Sequence, residues 1–392
     1  GLFVNVIEGF LKRLKKEKPG VYENLDEKFK ERYVDREGYF PDVKPSKSRR
    51  RLRECARDLV ELVNYFLLNK KVKNMSSFKL MERVLDEQVN VIRDEDGKID
   101  VWLKMPEKKE EEEDSEGEIA LKNNKEIKGD SLQNPSDPDA THNGHSGTGQ
   151  KLHITETCNE ENPFQLIDHA KVNKANESDQ NVTDEIHKEL KEKGIEAKTT
   201  ITDGGFTSGE NIINAKDQGI DLIGPVPGKE PENEDSVGVG DFEYSDNFRK
   251  VESCPEGHEP VEQKYCEETD TLEAEFDPEK CKECPHKEEC PAGKKKGKKK
   301  VKIERKKAAT AYRRRESKSK EFKEKYKIRS GIEATISHLK NDHGMRRLPV
   351  RGSPRVKLSV LFKIMAVNVK RVVKYALKPP RKGPKSALEA TV

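Results

Sequence analysis

Apolar residues recur at three- and four-residue steps through the first ninety positions and at shorter steps after position 150, so the chain changes from helix to mixed structure along its length. Phe3, Ile7, Phe10, Leu11 and Leu14 share one helical face, Leu59, Val63, Phe66 and Leu67 a second, and Phe78, Leu80, Met81, Val84 and Leu85 a third. Residues 1–93 are therefore expected to form an all-helical unit. From position 151 the pattern predicts strands over 151–158 and 164–172, a helix over 183–194 stopped by Gly194, and a strand over 198–205. A helix through Ile212 and Ala215 and a strand over 220–227 follow. Two further helices are predicted, one over 326–340 and an apolar one over 357–375. The fold class is α+β (α/β), a sheet with flanking helices.

Polar composition divides the rest. Residues 107–118 are a like-charge block, and the Asn-, Gly-, Ser- and Pro-rich tract that follows makes 94–149 an acidic, polar linker. The reading then places the first part of the core at 150–228, a Cys-rich insertion at 229–293, a basic segment at 294–325, closing helices at 326–378 and a tail at 379–392. The chain opens at Gly1, without Met, directly into a helix, and is expected to be a fragment of a longer product.

The segment 326–340 carries the first candidate chemistry. Steps of three, four and seven put Tyr326, Arg329, Glu333 and Lys340 on one helical stripe, with Ile332, Ile336 and Leu339 on an adjacent stripe to be buried. A carboxylate with an Arg one turn before it and a Lys two turns after it suits a metal ligand beside phosphate-binding cations. An amphipathic helix with one i,i+4 Arg/Glu pair reads the same way. Asp203 ends a predicted strand before Gly-Gly, which fits a site carboxylate or a turn residue.

The spacing Tyr326-x2-Arg329-x3-Glu333-x6-Lys340 resembles the Y-R-E-K signature of insertion-sequence transposases of the DDE class. ITDGGFTSGEN around Asp203 looks like the family segment in which the second catalytic Asp precedes an Asn-bearing helix start. GMRRLPVRG at 344–352 and the helix containing Asn368 look like the family's C-terminal region. NPSDPDATHNGH at 134–145 resembles the segment before the second strand, and a cysteine-containing insertion also occurs in this branch.

Spread over residues 1–375, the resemblance implies an RNase H-like catalytic core with a helical N-terminal insertion. It implies metal-dependent cleavage and transfer of DNA strands, with Asp203 and Glu333 as catalytic ligands of Mg²⁺ or Mn²⁺ and Tyr326, Arg329 and Lys340 as support. The partners would be double-stranded DNA, as transposon ends and target, and further copies of the chain in an active homo-oligomer. The setting would be a prokaryotic cytoplasm, near the nucleoid. The family's first Asp lies in a strand expected upstream of Gly1, so the core is read as incomplete at its first strand and the chain alone as inactive. Asp137 and Asp139, in a Pro-interrupted loop, are expected to be structural. The alternative is a catalytically dead DNA-binding remnant with a zinc-stabilised module.

Charge and cysteines sharpen this picture. The net charge of +3 conceals a run at 294–329 with nineteen Lys and Arg against four Glu, a field that would attract a polyanion, although a solvated linker would look alike. Lys294, Lys295, Lys296, Lys298, Lys299, Lys300, Arg313, Arg314 and Arg315 are the candidate phosphate contacts, with Arg346, Arg347 and Arg351 beyond the signature. Five of the seven cysteines cluster, and Cys254, Cys281, Cys284 and Cys290 form C-x26-C-x2-C-x5-C, as a structural Zn²⁺ site would. Free structural thiols are the other reading. Cys55 and Cys158 are expected to be buried apolar residues. No run of 18 apolar residues and no signal peptide occurs, so neither a membrane span nor export is indicated.

Overall fold

The computed structural model describes residues 1–35, 45–101, 121–122, 125–228, 237–292 and 299–377. The acidic block at 107–118, the basic residues Lys294, Lys295, Lys296 and Lys298 and the tail at 379–392 lie outside them. The chain divides into two compact units: Gly1–Leu152 with Val172–Asn176 and Leu348–Ser359, and His153–Lys171 with Glu177–Arg347 and the described part of Val360–Val392. The fold is mixed helix and sheet, as the α+β reading expects. No described helix is long and apolar enough to cross a membrane.

Helices dominate the first unit: α1 (Leu2–Glu17), α2 (Pro19–Glu23), α3 (Glu27–Lys30), α4 (Pro45–Phe66), α5 (Lys70–Lys73) and α6 (Ser76–Gln88). Phe3, Ile7, Phe10, Leu11 and Leu14 of α1 are all buried, because i, i+3, i+4 and i+7 positions return to one side of the helix. That side meets α4 and α6 around Phe10, whose ring lies 5.5 Å from Phe66 and 6.0 Å from Phe78, both edge-on. Two short antiparallel strands, β1 (Val91–Arg93) and β2 (Ile99–Val101), follow.

Strand β3 (Thr141–Asn143) pairs antiparallel with the start of β4 (Gly147–Glu156), in a stretch whose polar composition reads as linker. Local chemistry accounts for the turn. Asn143 Oδ1 accepts from the amides of His145 and Ser146, and Gly147 takes φ 82, where a Cβ would be strained. Asp137 and Asp139 accept from the backbone amides of Gly352 and Ser353, at 3.1 and 2.7 Å, consistent with structural roles.

Strand β5 (Ile167–Lys174) continues the sheet in the order β3-β4-β5. The second unit then adds α7 (Thr183–Glu192), β6 (Thr199–Ile201), α8 (Gly209–Asp217) and β7 (Asp221–Ile223), with β6 and β7 parallel. A smaller antiparallel part follows: β8 (Glu243–Tyr244) with β9 (Val251–Ser253), then β10 (Glu262–Cys266), β11 (Thr271–Phe276), the short α9 (Pro278–Lys282) and β12 (Lys299–Glu304), sheet order β10-β11-β12. Helices α10 (Arg305–Glu316), α11 (Lys320–Tyr326), α12 (Ser330–Asn341) and α13 (Ser353–Ala376) complete the described chain.

The described part of the basic segment is thus a strand, β12, followed by helices α10 and α11. In β12, Val301 and Ile303 point into a core shared with Leu222, Phe242, Leu272 and Phe276, while Lys300 and Lys302 face outward and pair with Glu275 and Glu273 at 2.8 Å each. Alternation at period two decides the inside; the cross-strand charges, open to solvent and screened by it, add little.

Two expectations come from this packing. Phe10→Ala should cost the helical unit about 3–5 kcal/mol, the range for truncating a fully buried aromatic, read as a lower denaturation midpoint with an unchanged m-value. The second concerns acid. Burial outweighs nearby carboxylates and pushes the His169 and His187 imidazoles below the ordinary value of 6.5. A His with a depressed folded pKa resists a proton that the unfolded chain accepts, so stability is complete above pH 6.5 and is lost as the pH falls below it. His187→Asn should flatten this acid loss, by at most about 1.4 kcal/mol per pH unit, in thermal melts between pH 7 and 5.

Candidate active site

The site starts at the paired strands β6 and β7. Thr202 extends their ladder by donating its amide to Ile223 O at 2.8 Å, so Asp203 is the residue that leaves the sheet. Its loop is fixed from several sides. The Gly205 amide donates to Asp203 Oδ1 at 2.9 Å, Thr207 Oγ1 donates to Asp203 O at 3.2 Å, and the Thr202 and Thr207 hydroxyls lie 3.1 Å apart. Ser208 caps α8 by accepting from the Asn211 amide. The Asn211 side-chain amide then donates to Gln180 O, Thr183 Oγ1 and Phe206 O at 2.9, 3.1 and 2.7 Å. The helix-start Asn of the sequence motif is therefore the tie between this loop and the start of α7.

The signature residues are not on one continuous helix, contrary to their spacing. Tyr326 closes α11, Lys327–Arg329 form a 3-10 turn, and Glu333 and Lys340 belong to α12. The Ser330 hydroxyl donates to Lys327 O at 2.9 Å and occupies a carbonyl that an unbroken α-helix would use. Of the stripe expected to be buried, Leu339 is buried and Ile332 and Ile336 are half-buried, while Thr335 is buried beside them.

Arg329 joins the two candidate carboxylates. One terminal nitrogen reaches Asp203 Oδ2 at 3.5 Å across 126 residues of chain, and the other bonds Glu333 Oε1 one helical turn away. Asp203 and Glu333 thus lie within the span of one guanidinium. Glu333 does not point inward as its stripe suggests: its side chain is 58% exposed and that of Asp203 44%. Tyr326 stacks on Phe322 at 5.8 Å, and Arg329 lies over the Tyr326 ring at 5.9 Å. Burial works against the Arg329 charge, but Tyr326, Glu333 and Asp203 together carry its pKa above the ordinary arginine value. The Tyr326 hydroxyl is raised, first by burial and then by the same carboxylates. Lys340, in the last turn of α12, is exposed.

Helix α13 holds α12 and the β4–β5 hairpin in place. Asn368 brackets the edge of β5, accepting from Ile167 N at 3.0 Å and donating to Ile167 O at 2.8 Å, as a neighbouring strand would. Arg371 donates to Glu156 at 2.6 Å, Gln165 O at 3.0 Å and Thr335 Oγ1 at 2.7 Å. Sequence reading singles out Asn368 only as part of a motif and misses Arg371, because two of its three partners lie more than 200 residues away on the hairpin.

Several basic candidates are turned into the fold. Arg313 is 5% exposed and donates to Leu222 O at 2.7 Å, so it cannot serve as a phosphate contact. Arg314 donates to Pro227 O, Arg315 pairs with Glu243, and Lys300 pairs with Glu275. The helical period of α10 points these guanidiniums at carbonyls and carboxylates that local composition does not reveal. Lys299 is half-buried, whereas Arg346, Arg347 and Arg351 are exposed.

The four cysteines of the insertion gather. Cys254, Cys281, Cys284 and Cys290 line one cavity of about 30 Å³ with His258 and His286, a volume suited to an ion or a water and too small for an organic ligand. Burial and the neighbouring thiols push the Cys281 thiol up. Among the described residues no disulfide forms, and Cys158, expected to be buried, is exposed just beyond the end of β4. Among the described residues, no group of three or more His, Cys, Asp and Glu side chains is arranged to hold a metal ion as it stands.

Residues 253–373 match the family model described as a transposase DDE domain. The match takes in the cysteine cluster, Arg329, Glu333 and most of α13; Asp203 lies outside it. Neither the curated proteins nor the solved structures contain a match to the chain.

Proposed function

We propose that this chain carries out DDE-type strand cleavage and transfer on double-stranded DNA, with Asp203 and Glu333 as its cation-holding carboxylates. The observation that carries the reading is the Arg329 bridge, which brings together two carboxylates from distant segments, one inside the matched transposase domain. A divalent cation, Mg²⁺ or Mn²⁺, bound there would stabilise the attacking and leaving oxygens of a phosphodiester. The chain's own part is to hold the carboxylates open to solvent, where a duplex can reach them, and to keep a guanidinium beside the reacting phosphate. The hairpin β4–β5 and the parallel pair β6–β7, flanked by α7 and α8, support an RNase H-like core. Exposed Arg346, Arg347 and Arg351 supply sequence-independent phosphate contacts.

We also propose that Cys254, Cys281, Cys284 and Cys290 hold one structural Zn²⁺, supported by the ion-sized cavity that all four line. Metal analysis of the purified protein should find one zinc per chain, and Cys281→Ser should release it and lower the melting temperature. A zinc-free protein with all thiols titratable would contradict this.

Nicking of supercoiled plasmid tests the main reading. With Mn²⁺ the protein should nick, and Glu333→Gln should slow nicking by about two orders of magnitude or more, the scale of losing one preorganised electrostatic group. Duplex affinity should stay within about twofold and fall steeply with added salt. Binding without nicking in the unsubstituted protein would instead favour a DNA-binding remnant.

A further inference from the structure

Helix α13 is apolar on two opposite sides. Val360, Ile364 and Val367 are buried, whereas Leu361, Phe362, Met365, Val369, Val372 and Val373, across the helix, are 43–57% exposed. A helix apolar all round is normally covered all round, because uncovered apolar surface forgoes the free energy of its burial. With each about half exposed, these six side chains leave roughly 500 Å² of apolar surface in water, the scale of the largest patch on a typical monomer and often a functional one. The face is also grooved. Leu361, Met365, Val369, Val372 and Val373 line a cavity of about 520 Å³ together with Leu166 from the turn between β4 and β5. Its one polar lining residue is Asn368, whose side chain is already taken up by Ile167, so no polar group is left to orient a small molecule.

The exposed residues keep a register that paired helices use. Phe362, Met365, Val369, Val372 and Ala376 follow one another at steps of three, four, three and four, and all five are exposed. Those are the a and d positions of a heptad, which form the seam between two helices. In the same frame Ala366 and Val373 take the e positions and Leu361, Asn368 and Tyr375 the g positions. Lys363, Lys370 and Lys374 fall at b and f, away from the seam, and α13 contains no Asp or Glu.

This distribution of charge selects the occupant. Charges at e and g specify which helix pairs with which, and here those positions carry none. An acidic partner helix would gain nothing along the seam, and a second α13 would meet no like charge there. We propose that the exposed face of α13 pairs with α13 of a second copy of this chain through a two-fold interface, in which the same residues serve both copies. Two such faces together offer roughly 1,000 Å², the area at which a specific interface becomes stable. The pairing needs neither cation nor DNA and stands apart from the cation reading. Through Arg371 and Thr335 the same helix holds α12, so a dimer formed this way would join the helices that support the two candidate sites.

Sedimentation equilibrium of the whole protein over a concentration series, without DNA or divalent cation, tests the pairing. The unsubstituted chain should show an equilibrium of monomer and dimer. Val369→Asp and Met365→Asp should each weaken the dimer about a hundredfold or more, because each would bury two unpaired carboxylates at the seam. Circular dichroism and the melting temperature of the monomer should not change, since both positions are exposed in the single chain. Lys370→Glu, at a b position, should leave the dimer within about twofold, and added salt should have little effect. A chain that stays monomeric at every concentration would overturn the proposal, as would a dimer that survives both seam substitutions. Flotation with vesicles of anionic phospholipid probes the competing use: a monomer that floats, and no longer does so as Val369→Asp, would assign the face to a membrane surface and overturn the pairing.

Discussion

Two negative side chains from distant parts of the sequence can share a solvent-facing patch only if something positive stands between them, and here Arg329 does. Its guanidinium reaches Asp203 on one side and Glu333 on the other, and Tyr326 supports it from the ring face. The geometry on either side reads as support for that bridge. Asn211 and the Thr202/Thr207 pair hold the Asp203 loop, and Arg371, through Thr335, holds α12. Each tie satisfies polar groups that would be costly to leave unpaired near the core, so the site's position and the packing of the unit share a cause.

The basic run illustrates how burial redistributes charge. Read as composition, 294–329 is a polycation. Folded, its described part is a strand whose lysines alternate with Val301 and Ile303, then a helix whose Arg313 is buried against a backbone carbonyl. The apolar period wins because burying Val and Ile side chains is worth about 1.5–3 kcal/mol each, whereas a surface Lys–Glu pair is worth about 0–1. Much of the positive charge is thereby committed within the chain, and Arg346, Arg347 and Arg351 stand out among the exposed candidates.

Local periodicity made the helical faces of α1, α4 and α6 and the order of strands and helices from β4 to β7 legible in the sequence, because each is set by neighbours in the chain. The same reasoning singled out Asp203 and Glu333 through motifs and the four cysteines by their spacing. It missed what depends on distant partners. Nothing near Arg371 announces Glu156, and the 3-10 turn at Lys327–Arg329 interrupts a helix that spacing alone makes continuous. Asn143 and Gly147 built a hairpin in a tract whose composition reads as linker, since two well-placed turn residues outweigh an average over fifty.

The central claim is that Asp203 and Glu333 act as one cation site although 130 residues separate them. A double-mutant cycle on Mn²⁺ affinity, with Asp203→Asn, Glu333→Gln and the pair together, measures this coupling without reference to DNA. A shared ion requires strong non-additivity, the double variant losing little more affinity than either single variant. Losses that simply add, or single variants that bind Mn²⁺ as well as the unsubstituted chain, would contradict the account.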